Sequence, residues 1–133
     1  MAIEQVTGLS KWLTASLFAA NSGGLLTIIN QSDKLATAGL AGVCFIIGLV
    51  FALLSATANQ EIYNRMASPL TGMVFYWGEV SISGAEDSED HDKIATRINA
   101  VNKWIWLGAA IGWLSGLSFI VGVVTVALGL KGA

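Results

Sequence analysis

The chain has 133 residues, a formal charge of −2 and a hydrophobic fraction of 54%, with 12% charged residues. That charged share is about half of what soluble domains carry, and 15 glycines against one proline suit helices packed in a bilayer. The near-neutral balance gives no basis for nucleic-acid binding, and the single cysteine, Cys44, excludes an intramolecular disulfide and a cysteine-built zinc site.

Residues 1–11 form a polar lead in which Ile3, Val6 and Leu9 share one helical face. Lys11 followed by WLTASLFA has the look of a secretory leader, with Ala20-Asn21-Ser22 as a loose cleavage site. The apolar run resumes at Leu25 and the lead carries Glu4, so a retained anchor is expected. The first uncharged run covers residues 12–32, with Asn21-Ser22-Gly23-Gly24 at its centre. Asn at membrane depth needs a hydrogen-bond partner. Asn21 is therefore expected to bond across to a neighbouring helix, the alternative being a broken helix that lines a site.

Gln31 to Leu35 leaves room only for a tight connection, which makes the first two spans antiparallel neighbours. The second run covers residues 35–60, and the helix is expected to continue past the membrane surface, with Glu61 and Arg65 paired at i, i+4. Pro69 disfavours helical geometry at Ser68, and the helix is expected to end there. Leu70 to Ile82 is apolar but too short to cross, and Glu79 interrupts it. Phe75, Tyr76 and Trp77 are expected at headgroup depth, in an interfacial or re-entrant segment.

Residues 84–92 read GAEDSEDHD, and Asp87 or Ser88 fits the N-cap of a third helix. Ile94, Ile98 and Val101 form one apolar face of that helix, which is expected to run unbroken from about Ser88 into a third span at 104–130. This run holds no charge, is flanked by Lys103 and Lys131, and exceeds the roughly 20 residues needed to cross about 30 Å of hydrocarbon. Trp104 and Trp106 stand at its start, where indoles favour the interface.

Three spans put the N-terminus and residues 61–103 on one side, together with Lys11, Arg65, Lys93, Arg97 and Lys103. The other side holds Lys34 and Lys131. The excess predicts a cytoplasmic N-terminus and loop and an external C-terminus. The compact, glycine-rich look of the chain, common among small bacterial inner-membrane proteins, suggests that membrane.

Little here points to chemistry. None of the three runs contains Asp, Glu, Lys, Arg or His, which argues against proton-coupled transport. Glu86, Asp87, Glu89, Asp90, His91 and Asp92 lack the central Gly and the spacing of a calcium loop. They read instead as a solvated helix start. No nucleophile-elbow, zinc-protease or phosphate-loop motif occurs, so no enzyme, cofactor or metal is expected.

The clearest pattern is small residues at helical spacing: Ala15, Ala19 and Gly23 in the first span; Gly48, Ala52 and Ala56 in the second; Gly108, Gly112 and Gly116 in the third. Such stripes let helix backbones approach where lipid supplies no hydrophobic drive. The first two are expected to pack inside the chain, and the third to serve either inside it or at an interface.

The reading is one all-α integral membrane domain over residues 1–133, with three transmembrane helices. The second and third helices are prolonged into a cytoplasmic antiparallel hairpin with the aromatic segment at its turn. The expected role is a non-enzymatic accessory or scaffold subunit, whose partners are the lipid bilayer and a second copy or another membrane protein. The alternatives are a self-assembling pore or toxin-effector and, more weakly, a sensor signalling through its stem.

Overall fold

A computed structural model describes residues 2–34 and 37–131, with side-chain surroundings for 8–33 and 37–130. The expected start of the second span at Leu35, the side chains of Ile3 and Val6, and those of the flanking lysines Lys34 and Lys131 lie outside the described residues. Four α-helices and one short 3-10 turn make up the described elements: α1 (Ala2–Gln31), the turn Ser32–Lys34, α2 (Ala38–Ser83), α3 (Ser88–Asn102) and α4 (Ile105–Lys131). Three helical stretches, Gly8–Gln31, Ala38–Ser83 and Ser88–Leu130, are long and apolar enough to cross a membrane.

The chain packs as two compact units. One is Met1–Thr57 with Gly108–Ala133, and the other is Ala58–Leu107. In the first unit each helix buries a seam that advances alternately by three and four residues. On α1 it runs through Thr14, Leu17, Asn21, Gly24 and Ile28; on α2 through Ala41, Phe45, Gly48, Ala52 and Ser55; on α4 through Gly108, Gly112, Ser115, Phe119, Gly122 and Val126. A repeat of about 3.5 residues keeps one face against its neighbours, as in a left-handed coiled coil. The seam is mostly small or polar, while large side chains such as Leu26, Ile29, Leu40, Leu53 and Leu128 point outward.

In the second unit the seam on α2 keeps its period through Ile62, Met66, Pro69, Met73, Tyr76 and Val80, and α3 answers with His91, Ile94, Ile98 and Val101. Gly72 of α2 lies beneath Ile94 of α3, where an added Cβ would stand 3.8 Å from Cδ1. No residue of α3 is fully buried, so this helix holds its place by one apolar edge.

Two helix boundaries differ from the sequence reading. Pro69 does not end α2, which runs through it to Ser83. A proline costs a helix one ladder bond, but Pro69 sits buried in a seam whose packing continues on both sides. The actual stop is Gly84, whose φ of 69° no side-chain-bearing residue adopts readily, and whose N–H closes onto the Val80 carbonyl at 2.8 Å. Secondly, α3 does not run unbroken into α4. At Lys103–Trp104 the backbone tightens, with Trp104 N–H donating to the Val101 carbonyl at 2.9 Å and Leu107 N–H to that of Trp104 at 3.0 Å. The expected N-cap is present: Asp87 accepts from Glu89 N–H at 3.0 Å and from Asp90 N–H at 3.3 Å. The pairs Glu61–Arg65 and Glu89–Lys93 each close at 2.7 Å. Both are solvent-exposed and contribute about 0.3–0.5 kcal/mol apiece.

Candidate functional site

The first unit is organised around one uncharged polar node. Asn21 of α1 is fully buried. Its amide Nδ2 donates to the Leu17 carbonyl one turn back at 2.9 Å and to Ser115 Oγ of α4 at 3.4 Å. Ser115, equally buried, donates its hydroxyl to the Gly48 carbonyl of α2 at 2.8 Å. Asn21, Ser115 and Gly48 thus tie three helices together without a charge. The remaining acceptor, Asn21 Oδ1, has no hydrogen-bond partner. It lies against the Cα of Gly48, where any Cβ would collide with it. Glycine at position 48 is therefore demanded by Asn21.

A second link lies two seam positions on, where the buried Ser55 hydroxyl donates to the Gly108 carbonyl at 2.9 Å. An added Cβ at Gly112 would stand 3.3 Å from the same hydroxyl. Toward the other end of the spans, Thr37 Oγ1 donates to the Thr125 carbonyl at 2.9 Å and occupies the space that a Cβ at Gly129 would need. Between these polar layers Phe45 is the largest fully buried side chain. Its ring fills the hole left by two glycines. A Cβ on Gly24 of α1 would reach Phe45 Cε1 at 2.5 Å, and one on Gly122 of α4 at 2.8 Å. Phe119 completes the pocket, its ring centroid 5.9 Å from that of Phe45.

In the second unit three rings gather where α3 begins. Tyr76 is buried; its ring centroid lies 5.3 Å from that of Trp77 and 5.5 Å from that of His91, and Trp77 and His91 are 5.9 Å apart. These spacings are direct packing, with no room for a ligand between the rings. Burial pushes the Tyr76 phenol above its usual value of 10.0, and the charges of Glu86, Asp87 and Asp90 push the same way against the opposing pull of the Asp87 backbone N–H. His91 Nδ1 stands 3.5 Å from Asp92 Oδ1.

The residues singled out from sequence divide clearly. Asn21 makes the interhelical bond expected of it. Gly48, Ala52 and Gly108 are buried in the seam, Gly112 is a half-buried member of it, and Ala56 and Gly116 are half-buried at its edge, Gly116 against Leu17. The α1 stripe is different: Ala15, Ala19 and Gly23 face outward, and nothing lies within 4 Å of a Cβ added at Gly23. The internal face of α1 is instead the neighbouring row through Asn21, Gly24 and Ile28. Phe75, Trp77, Trp104 and Trp106 are exposed, whereas Tyr76 is packed inside. The pairing of Phe45 with Gly24 and Gly122 leaves no small-residue stripe in the sequence, although the alternating three- and four-residue spacing of all three seams is present there. Among the described residues no group of His, Cys, Asp or Glu could hold a metal ion.

Neither a protein family, nor a curated protein, nor a solved structure matches this chain.

Proposed function

We propose that the chain is a non-enzymatic scaffold or accessory subunit of a membrane assembly. Its helices cross the bilayer three times, with the N-terminus and residues 61–103 in the cytoplasm and the C-terminus outside. Residues 61–103 form an antiparallel helical stem, and Trp104 and Trp106 lie at the headgroup level where α4 enters the membrane. The observation that carries this reading is the division of small residues. Gly48, Ala52, Gly108 and Gly112 on α2 and α4 are taken up by contacts inside the bundle, while Ala15, Ala19 and Gly23 on α1 are left facing outward. A bundle locked by Asn21, Ser115 and Phe45 is a rigid body suited to presenting such a face to another helix.

The test is affinity purification of the full chain in mild detergent, with identification of what accompanies it and measurement of particle mass. Gly23→Ile, at a position without internal neighbours, should release the partner or the second copy while leaving the helical content intact. A wild-type protein that purifies as a bare monomer would sink the proposal.

A further inference from the structure

The two units hold their helices by different means. In the first, Asn21, Ser115 and Ser55 pass hydrogen bonds from helix to helix. In the second, the side-chain bonds of α3 stay within its own turns: Asp87 caps it, Lys93 pairs with Glu89, and Thr96 Oγ1 donates to the Asp92 carbonyl at 2.8 Å. An edge of His91, Ile94, Ile98 and Val101 keeps α3 on α2, none of its residues is fully buried, and both its ends are non-helical joints, 84–87 and 103–104. A helix held in this way is among the first parts of a fold to open. With 15 residues α3 is marginal in water by itself, so it frays once it lifts away.

At its amino end α3 meets α2 through rings. The His91 centroid lies 5.5 Å from that of Tyr76 and 5.9 Å from that of Trp77. Both fall inside the roughly 6 Å over which a cation is drawn to an aromatic ring. Histidine is the side chain that changes its charge between about pH 5 and 8. With 38% of its side chain exposed, His91 exchanges its proton with solvent. The charges around it are nearly all negative. On α2, Glu79 is the one charged residue between Met66 and Ser83, and the turn adds Glu86 and Asp87. On α3 stand Asp90 and Asp92, the latter with Oδ1 3.5 Å from His91 Nδ1. The charges of Glu86, Asp87 and Asp90 reach the phenol of Tyr76, the ring on which His91 packs. Tyr76 is itself neutral throughout this pH range. Lys93, the nearest cation along the chain, is held by Glu89 at 2.7 Å. The positive end of the helix dipole opposes a cation here, but its effect fades within the first turn and His91 is the fourth residue of α3.

We infer that α3 is a strap closed by a proton on His91: the imidazolium, set against Tyr76 and Trp77 among the acids, fastens α3 to α2, and its loss loosens the strap. Docking takes up the proton, so the added hold is complete in acid and is lost as the pH rises through the histidine range. Loosening bares the apolar row of α2 through Ile62, Met66 and Met73. The inference requires only that the hairpin stands in water, and it is independent of the scaffold reading.

The test is amide hydrogen exchange of the full chain in maltoside micelles, read by mass spectrometry and corrected for the intrinsic pH dependence of exchange. From about pH 7.5 to about pH 5.5, protection of α3 should rise about two- to fivefold, the size of a cation–aromatic contact at a half-exposed site. Protection of α1 and α4 should stay constant. His91→Phe keeps a ring at the joint and removes the charge, so α3 should remain protected while its pH response vanishes. A response that survives in His91→Phe, that runs in the opposite direction, or that the bundle shares would overturn the inference. Should His91→Phe leave α3 unprotected at both pH values, Trp77→Leu decides, because Trp77 is half-exposed and only one of the two rings is lost. There the response should shrink to about half, and an undiminished response would overturn the inference.

Discussion

The contact between Asn21 and Gly48 makes the sharpest claim about stability, because two rules of helix energetics give it opposite signs. In an unobstructed helix, Gly→Ala is stabilising by up to about 1 kcal/mol. At position 48 the new Cβ collides with Asn21 Oδ1. The Asn21 side chain must then move, losing its bond to Ser115, and interhelical bonds of this type are worth about 0.6 kcal/mol on average. Forcing an extra carbon into a packed interior adds about 1–3 kcal/mol. The opposing terms leave Gly48→Ala destabilised by about 1–3 kcal/mol. Asn21→Ala opens the space, so the double variant should recover much of the loss, with a coupling energy of about 1–3 kcal/mol. The measurement is unfolding in mixed micelles as the fraction of dodecyl sulfate rises, followed by circular dichroism. Gly23→Ala, where nothing lies within 4 Å, is the control and should be neutral or mildly stabilising. If Gly48→Ala is as stable as the wild type, or the two substitutions add without coupling, the proposed packing of Asn21 on Gly48 is wrong.

Phe45→Ala should cost about 3–5 kcal/mol in the same assay, because the glycines that bracket the ring cannot close on the space it leaves. Asp87→Ala should lose about 1 kcal/mol locally, read as faster hydrogen exchange at the Glu89 and Asp90 amides with the bundle unchanged. Tyr76 provides a pH test. Its folded-state value lies above the ordinary 10.0, so its contribution to stability is complete below pH 10 and is lost as the pH rises through the folded value. Absorbance at 295 nm should show a phenol that ionises later than free tyrosine and disappears in Tyr76→Phe. An alkaline titration without a delayed phenol would count against the buried placement of Tyr76.

The spans were legible in the sequence because length and lack of charge are strong signals, and the Glu61–Arg65 pair and the Asp87 cap followed from spacing alone. Pro69 misled because a local preference at Ser68 was weighed without the long-range seam. Ile62, Met66, Met73, Tyr76 and Val80 keep one face apolar on both sides of the proline, and that packing outweighs a single missing bond. The stop at Gly84 was visible only as a glycine among acids. The α1 stripe was read from small size, but size does not say which face turns inward. Asn21 did say so: a buried amide must find a partner, and the row containing Asn21, not the row containing Gly23, became the core.

The change in seam composition along α2 has a physical cause that bears on where the membrane ends. Between Ala41 and Ser55 the buried row is small or polar apart from Phe45; between Ile62 and Val80 it is chiefly large and apolar. In lipid, association gains nothing from hiding aliphatic surface, so helices meet through close backbone approach and hydrogen bonds such as that from Ser55 to the Gly108 carbonyl. In water the same helix gains about 25 cal/mol for each Å² of apolar surface it hides, and large side chains move inside. The outward face inverts in step, aliphatic before Leu54 and polar after Gln60. Both inversions fall within two turns of helix around Asn59, where the proposed topology puts the membrane boundary. By the same reasoning Val74, Phe75 and Ile82 are out of place: they obey the rule for lipid in a segment whose buried row obeys the rule for water.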